Sequence, residues 1–336
     1  MNSPTAQASA LPHSTSRAAT SQPDPWREAS LDRSGVNTLR DQLVAAGLLI
    51  PTGVAGLFGR SQQLERVIDA LDALITRLGA DQQAEVLRFP PAINRADFER
   101  SEYMKAFPQL AGTVHSFCGG EHEQQRVLQC LDRAEDWTEY QKPTYVVMTP
   151  AACYPVYPVV ATRGPLPPEG RVVDVLSWCF RHEPSLDPTR MQLFRMREFV
   201  RIGTAAQVLA FRSEWITRAK ALIESLLLPN TLDLANDPFF GRGGRIAARS
   251  QREQSLKFEL LIPVESEEKP TACLSFNYHS DHFGQLWSIQ DSDLRVAHTG
   301  CVGFGLERMA IALFKHHGFD VGQWPVSVRE TLWSSA

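Results

Sequence analysis

Residues 179–199 read CFRHEPSLDPTRMQLFRMREF. Arg181 and Glu183 stand two apart, so on a strand they share one face. Arg190, Phe194 and Glu198 follow at four-residue intervals. A strand, a charged loop and a returning strand would aim Arg181, Glu183, Phe194 and Glu198 into one cleft. Arginine grips a phosphate through two parallel N–H bonds, and phenylalanine offers a flat face to a base. The competing reading of this stretch is a surface hairpin with ordinary salt bridges.

Working outward, residues 300–313 read GCVGFGLERMAIAL. A dinucleotide-binding loop needs a third glycine three residues beyond Gly305, and that place is Arg308. It also needs a βαβ context, which is absent, so that reading is rejected. Gly303 and Gly305 instead let a ligand approach the backbone. Arg308 falls at the start of a helix, where the dipole disfavours a cation, and a bound anion accounts for it better than helix stability does.

Between and around these stretches the periodicity is mixed. Ser61 opens a helix in which Leu64, Val67, Ile68, Leu71, Leu74, Ile75 and Leu78 form one stripe, and Gly79 closes it as a C-terminal cap. Strands are predicted at AEVLRFPPAI, stopped by Pro90 and Pro91, at YVVMTP ending at Pro150, at RVVDVLSWCF from Arg171, and at SLKFELLIPV and TACLSFNYH. A second helix spans 204–228 with Val208, Phe211, Trp215, Ile216, Ala219, Leu222, Ile223 and Leu226 facing a core, and a final one spans about 306–317. The order predicts an α+β domain on a largely antiparallel sheet flanked by helices.

The composition sets bounds. The 336 residues, 43% of them hydrophobic, suffice for one large core or two modest ones. Lys plus Arg total 34 against 38 Asp plus Glu, a net charge of −4. That balance argues against a large nucleic acid as main partner, while leaving room for a local basic patch. Six cysteines without a CxxC pair fit a reducing, cytoplasmic setting. No apolar run is long enough to cross a bilayer. Residues 1–25, rich in Ser, Thr, Ala and Pro, read as a disordered tail rather than a transit peptide.

Taken together, the segments at 179–199 and 300–313 resemble motifs 2 and 3 of class II aminoacyl-tRNA synthetases: Arg-x-Glu, a loop and Arg-xxx-Phe-xxx-acid, then Gly-x-Gly-x-x-Arg opening a helix. The helix at 61–79 with the strand ending at Pro90 and Pro91 loosely resembles motif 1, the dimer element of that class. Cys153 in TPAACYPVYP, Glu198 and Cys301 stand where a zinc-dependent seryl-tRNA synthetase subgroup from methanogens carries Cys, Glu and Cys. Few residues precede the motif 1 helix. The resemblance over nearly the whole ordered chain is therefore to amino acid:[carrier protein] ligases, truncated synthetase homologues whose pattern includes DPFFGR and TACLSFNYH. It implies a tail over 1–25 and a catalytic domain over 26–336 without a tRNA-binding domain.

The resemblance implies roles for particular residues. Cys153, Glu198 and Cys301 would hold Zn2+, with a fourth position open to a substrate amine. Arg181 would hold the α-phosphate of ATP, Phe194 would stack on adenine, Arg308 would cover its other face and lie near the γ-phosphate, and Arg190 would reach the terminal phosphates. Glu259 is a Mg2+ ligand or else a surface charge on an alternating strand. Glu183 and Asn277 would fix the amine. The substrate would be a small amino acid, glycine favoured and alanine open, with Trp287 and Phe276 as residues that fill the pocket. The partner would be an acidic carrier protein bearing phosphopantetheine, and the assembly a homodimer.

The stretch GRGGRIAARSQR adds a basic stripe. Arg245, Arg249 and Arg252, with Arg242 just before, lie on one helix face and suit an acidic partner, or form a solvated face. His279 and His282 are not expected to form a metal pair, since nothing nearby completes one. The rival functions are a minimal seryl-type tRNA synthetase and a non-catalytic protein that senses ATP or amino acids.

Overall fold

The computed structural model describes residues 38–333. The predicted tail at 1–25 lies outside them. Strands β1 (Glu85–Arg88), β2 (Arg171–Phe180), β3 (Leu193–Gly203), β4 (Thr231–Leu234), β5 (Lys257–Ile262), β6 (Thr271–Tyr278) and β7 (His298–Gly305) form one sheet in the order β1-β2-β3-β7-β6-β5-β4. Every pairing is antiparallel except the parallel edge pair of β1 and β2.

Period-2 alternation splits the sheet's side chains between two environments. Phe199, Leu260, Ile262, Leu274, Phe276, Val302 and Phe304 point to one face. There they meet helices α1 (Gln62–Leu78), α2 (Ala205–Ser225) and α4 (Leu306–His317) in the main core. Val173, Val175, Val200, Ile202 and Cys301 point to the other face, where a second cluster includes Tyr157, Phe283 and Trp287. The α2 stripe predicted from the sequence is buried throughout, apart from half-buried Ile216. Thr204 and Gln207 close the helix start with a reciprocal capping box.

Helix α1 begins as predicted, with the Ser61 hydroxyl accepting from the Leu64 amide at 3.3 Å. Its end differs in cause. Gly79 has φ −96°, so no left-handed cap is present. A Cβ there would fall 2.3 Å from Cζ of Phe199, whose ring is stacked 4.6 Å from Trp215 and cannot withdraw. Gly79→Ala is therefore expected to cost about 1–3 kcal/mol through overpacking. The check is a lower urea midpoint at unchanged slope.

The run AEVLRFPPAI proves to be two strands, not one. Proline lacks an amide hydrogen and fixes φ, so pairing with β2 stops before Pro90. The chain resumes as Ala92–Asn94 in a separate three-stranded sheet, with Gln141–Met148 in the middle and Thr113–Phe117 on the other edge. This sheet and the short helices Arg95–Arg100 and Tyr103–Ala106 enclose a small core of Ile93, Phe98, Tyr103, Leu110 and Val147. It walls one side of the cavity described next.

Candidate active site

The open face of the sheet is the floor of a cavity of about 840 Å³. Strand register arranges that floor in two rows. Lys257 lies opposite Asn277, and Asn277 opposite Cys301. Two residues along, Glu259, Ser275, Gly303 and Glu198 stand opposite one another in turn. Directly paired residues share a face, so every side chain in both rows enters the cavity. Gly303 keeps the second row open: a Cβ there would sit 3.1 Å from Ser275 Oγ and 3.7 Å from Glu198 Cγ. Gly305 has no such crowding, its nearest contact being 3.4 Å.

At one end Cys153, Glu198 and Cys301 converge, all buried, with one possible ligand atom from each within 4.8 Å of the others. Cys153 comes from the turn before helix Val156–Ala161, and its amide donates to Glu198 Oε1 at 3.1 Å. Burial pushes the Glu198 carboxyl upward. Its hydrogen bond with Cys153, then burial and the Glu198 charge, push the Cys301 thiol well above the ordinary range. Burial raises Glu198 against the lowering hydrogen bonds from Cys301 and Cys153, and a divalent cation would relieve the cost of holding charge in so dry a site. Two sulfurs and one carboxylate with an open side suit zinc. Asn277 Nδ2 donates to Cys301 Sγ at 3.3 Å.

The other end carries guanidinium groups. Arg181 lies just beyond β2 rather than on it: its amide still donates to the Gln192 carbonyl, but the next amide turns away to Leu110. The shared strand face expected for Arg181 and Glu183 is therefore replaced by a tight turn, in which the Glu183 amide donates to the Arg181 carbonyl at 2.8 Å. Both side chains still line the cavity. The Arg181 guanidinium sits 5.5 Å from the centre of the Phe194 ring, and its Nε donates to the Pro150 carbonyl. Arg308, in the first turn of α4, donates to the carbonyls of Thr189 and Ala272 at 2.8 Å each. Burial holds its pKa down. Neither arginine has a carboxylate at salt-bridge distance among the described residues, so both guanidiniums retain donors for an anion.

Arg190 departs from expectation. It is exposed, stands off the cavity lining, and lies near Asp187 at 3.6 Å and Glu183 at 3.9 Å. Glu259 does line the cavity, and its carboxylate accepts from Lys257 at 3.0 Å. Trp287 and Phe276 do not line it. Phe276 has the wrong parity on β6 and points into the main core, while Trp287 packs under Arg100. The aromatic residues around the cysteine end are Tyr154 and Phe283.

Sequence reasoning missed Lys257 and Asp237. The Lys257 ammonium is buried between Asp237 at 2.5 Å and Glu259 at 3.0 Å, and Gln251 donates to the second Asp237 oxygen. The signal was present: Lys257 alternates in phase with Glu259 on one strand. His279 was weighed only as half of a metal pair. Its Nε2 lies 3.9 Å from Cys301 Sγ, and burial holds its pKa down at about 4, so it is neutral.

Helix α3 (Gly241–Glu253) roofs the cavity. Gly243, Gly244, Ala247, Ser250 and Gln251 face inward, while Arg245, Arg249 and Arg252 are exposed. Arg249 pairs with Glu253 at 2.6 Å. The Arg242 side chain lies outside the described residues. Exposed Phe240 and Ile246 flank the arginines.

Comparison with known proteins agrees with this architecture. The seryl-tRNA synthetase of M. kandleri, solved with A. aeolicus tRNASec, superposes with a TM-score of 0.75 at 21% identity over 93% of this chain and 62% of its own. The seryl-tRNA synthetase of Pyrococcus horikoshii, complexed with ATP, gives a TM-score of 0.62 at 15% identity over 83% of this chain and 58% of its own. The fold is thus that of a class II aminoacyl-tRNA synthetase catalytic domain. Amino acid–[acyl-carrier-protein] ligase 2 of Bradyrhizobium diazoefficiens is 50% identical over 86% of each chain, and ligase 1 of that organism is 50% identical over 83% of this chain and 86% of its own. The protein belongs to this family of ligases. The type-2 serine–tRNA ligase of Methanococcus aeolicus is 30% identical over 57% of this chain, which spans 38% of that protein. No family model matches. Among the described residues no helix is long and apolar enough to cross a membrane.

Proposed function

We propose that the cavity binds ATP and a small amino acid, joins them as an aminoacyl-adenylate, and passes the aminoacyl group to the phosphopantetheine thiol of an acidic carrier protein. The observation that carries this reading is one floor joining the Cys153–Glu198–Cys301 set to Arg181 and Phe194.

Adenine stacks between Phe194 and Arg308, and the Arg181 and Arg308 guanidiniums turn their remaining donors to phosphate oxygens, Arg308 to the γ-phosphate. A carboxylate oxygen of the amino acid attacks the α-phosphorus, and the bond to the bridging oxygen of pyrophosphate breaks. Arg181 stabilises the charge that grows on the α-phosphate. Cys153, Glu198 and Cys301 would hold zinc, which would supply a Lewis-acid position for the substrate amine. Asn277 and Glu183 would orient that amine, and Glu259, held by Lys257, would offer an oxygen to the Mg2+ that accompanies ATP. Tyr154 and Phe283 bound the space beside the cysteines, which supports glycine over larger residues, with alanine next. The carrier thiol then attacks the acyl carbon and AMP leaves, so no enzyme nucleophile is needed. A homodimer through the α1 region follows by analogy to the fold.

The test is ATP–pyrophosphate exchange with a panel of amino acids, followed by mass measurement of candidate holo carrier proteins. Exchange with glycine or alanine and a mass gain on the carrier are expected. Exchange with no amino acid would favour a sensing role, and transfer to tRNA would favour a minimal synthetase.

Carrier docking falls to the exposed stripe of α3, with Arg245, Arg249 and Arg252 meeting acidic groups beside the cavity roof, and with Arg242 preceding them in the sequence. Arg245→Glu with Arg249→Glu is expected to lower the rate of carrier loading at least tenfold at low salt, while pyrophosphate exchange is unchanged. Equal loss of both steps would count against docking here.

A further inference from the structure

His279, just past β6, presents two differently employed ring nitrogens. Nδ1 lies 3.1 Å from Thr299 Oγ1 and 3.5 Å from Tyr157 Oη. Nε2 lies 3.9 Å from Cys301 Sγ. The ring is fixed edge-on between Tyr157 and Phe283, and the His279 amide donates to the Thr299 carbonyl at 2.8 Å. A hydroxyl either donates to an imidazole nitrogen or accepts from it, whereas a thiolate only accepts, so a deprotonated Cys301 is matched by a ring proton on Nε2. With the Thr299 hydroxyl donating to Nδ1, the ring proton sits on Nε2 and points at the sulfur. Asn277 Nδ2 donates to that same sulfur at 3.3 Å. His279 is not itself in the cluster of ligand atoms, which comprises Cys153, Glu198 and Cys301.

We propose that His279, held by Thr299, is a positioning residue that donates its Nε2–H to the Cys301 thiolate and, with Asn277, sets that sulfur's orientation and electron density toward the metal. The inference rests on the zinc reading above. A donor aimed at a metal-bound thiolate fixes the direction of the sulfur's remaining lone pairs. The same donor draws charge from the sulfur, which leaves a bound metal a stronger Lewis acid. Outer partners of this kind typically contribute about 10–100-fold to metal affinity.

The experiment uses the full chain with zinc, by chelator competition, and with cobalt(II), whose thiolate charge-transfer band reports sulfur electron density. His279→Phe is expected to weaken zinc roughly 10–100-fold and to move the cobalt band to longer wavelength. His279→Gln, whose Nε2–H reaches the same place, should restore both. Thr299→Val, which removes the hydroxyl but keeps the shape, should give intermediate affinity. An unchanged band and affinity in His279→Phe would overturn the inference, as would a glutamine variant no better than phenylalanine. A wild-type protein that takes up neither metal would overturn the zinc reading and this inference with it. A wild type that shows the band beside an unaltered His279→Phe would overturn this inference alone.

Discussion

Cys153→Ala is expected to lose zinc and amino-acid-dependent pyrophosphate exchange together. Cys153 supplies one of three ligand atoms that lie within 4.8 Å of one another. Two ligands without the third leave the site open on two sides, and the affinity should fall by more than ~100-fold, beyond the range for outer-shell partners. The fold should survive, because Cys153 lies among apolar neighbours such as Val156 and Tyr157, and alanine removes only a sulfur from that cluster. Zinc per chain by elemental analysis, a thermal scan and exchange with glycine or alanine form the check. Zinc at full occupancy would remove Cys153 from the site. Full exchange in a metal-free sample would remove zinc from the activation step.

The main helices and the arginine end of the cavity were legible because each rests on local rules, whereas the cysteine end, assembled from a turn and two strands, was legible through the resemblance alone. The α1 stripe and its Ser61 cap, the α2 stripe and the Gly303-to-Arg308 stretch all depend on spacing within one element. What stayed hidden depends on register between elements. Nothing local tells that Lys257 faces Asn277, or that Asn277 faces Cys301; only pairing among β5, β6 and β7 does. Phe276 was misassigned because hydrophobicity does not reveal parity, and a one-residue shift reverses the face. Arg190 fell outside the cavity because equal spacing across a loop carries no direction. The three-stranded sheet escaped notice because Pro90 and Pro91 looked like an ending, whereas they mark a crossing between sheets. His279 is brought to Thr299 and Cys301 by the pairing of β6 with β7, which joins residues about twenty positions apart in the sequence.

Arg181→Ala should divide the two ends of the cavity experimentally. The Arg181 guanidinium lies by Phe194, donates once to a backbone carbonyl and has no carboxylate partner at salt-bridge distance among the described residues. If it meets the α-phosphate as pentacoordinate charge develops, its loss removes stabilisation made mainly in the transition state. The expected fall in the maximal exchange rate is about 10²–10³-fold, the range for one such donor. Zinc content should not change, since Arg181 is absent from the ligand set. Arg181→Lys should recover little, because an ammonium cannot reproduce two parallel N–H bonds from a planar fork. The decisive measurement is the split between kcat and KM for ATP. A raised KM at unchanged kcat would mean that Arg181 holds ATP equally in the ground and transition states, and that the charge on the α-phosphate is met by another group.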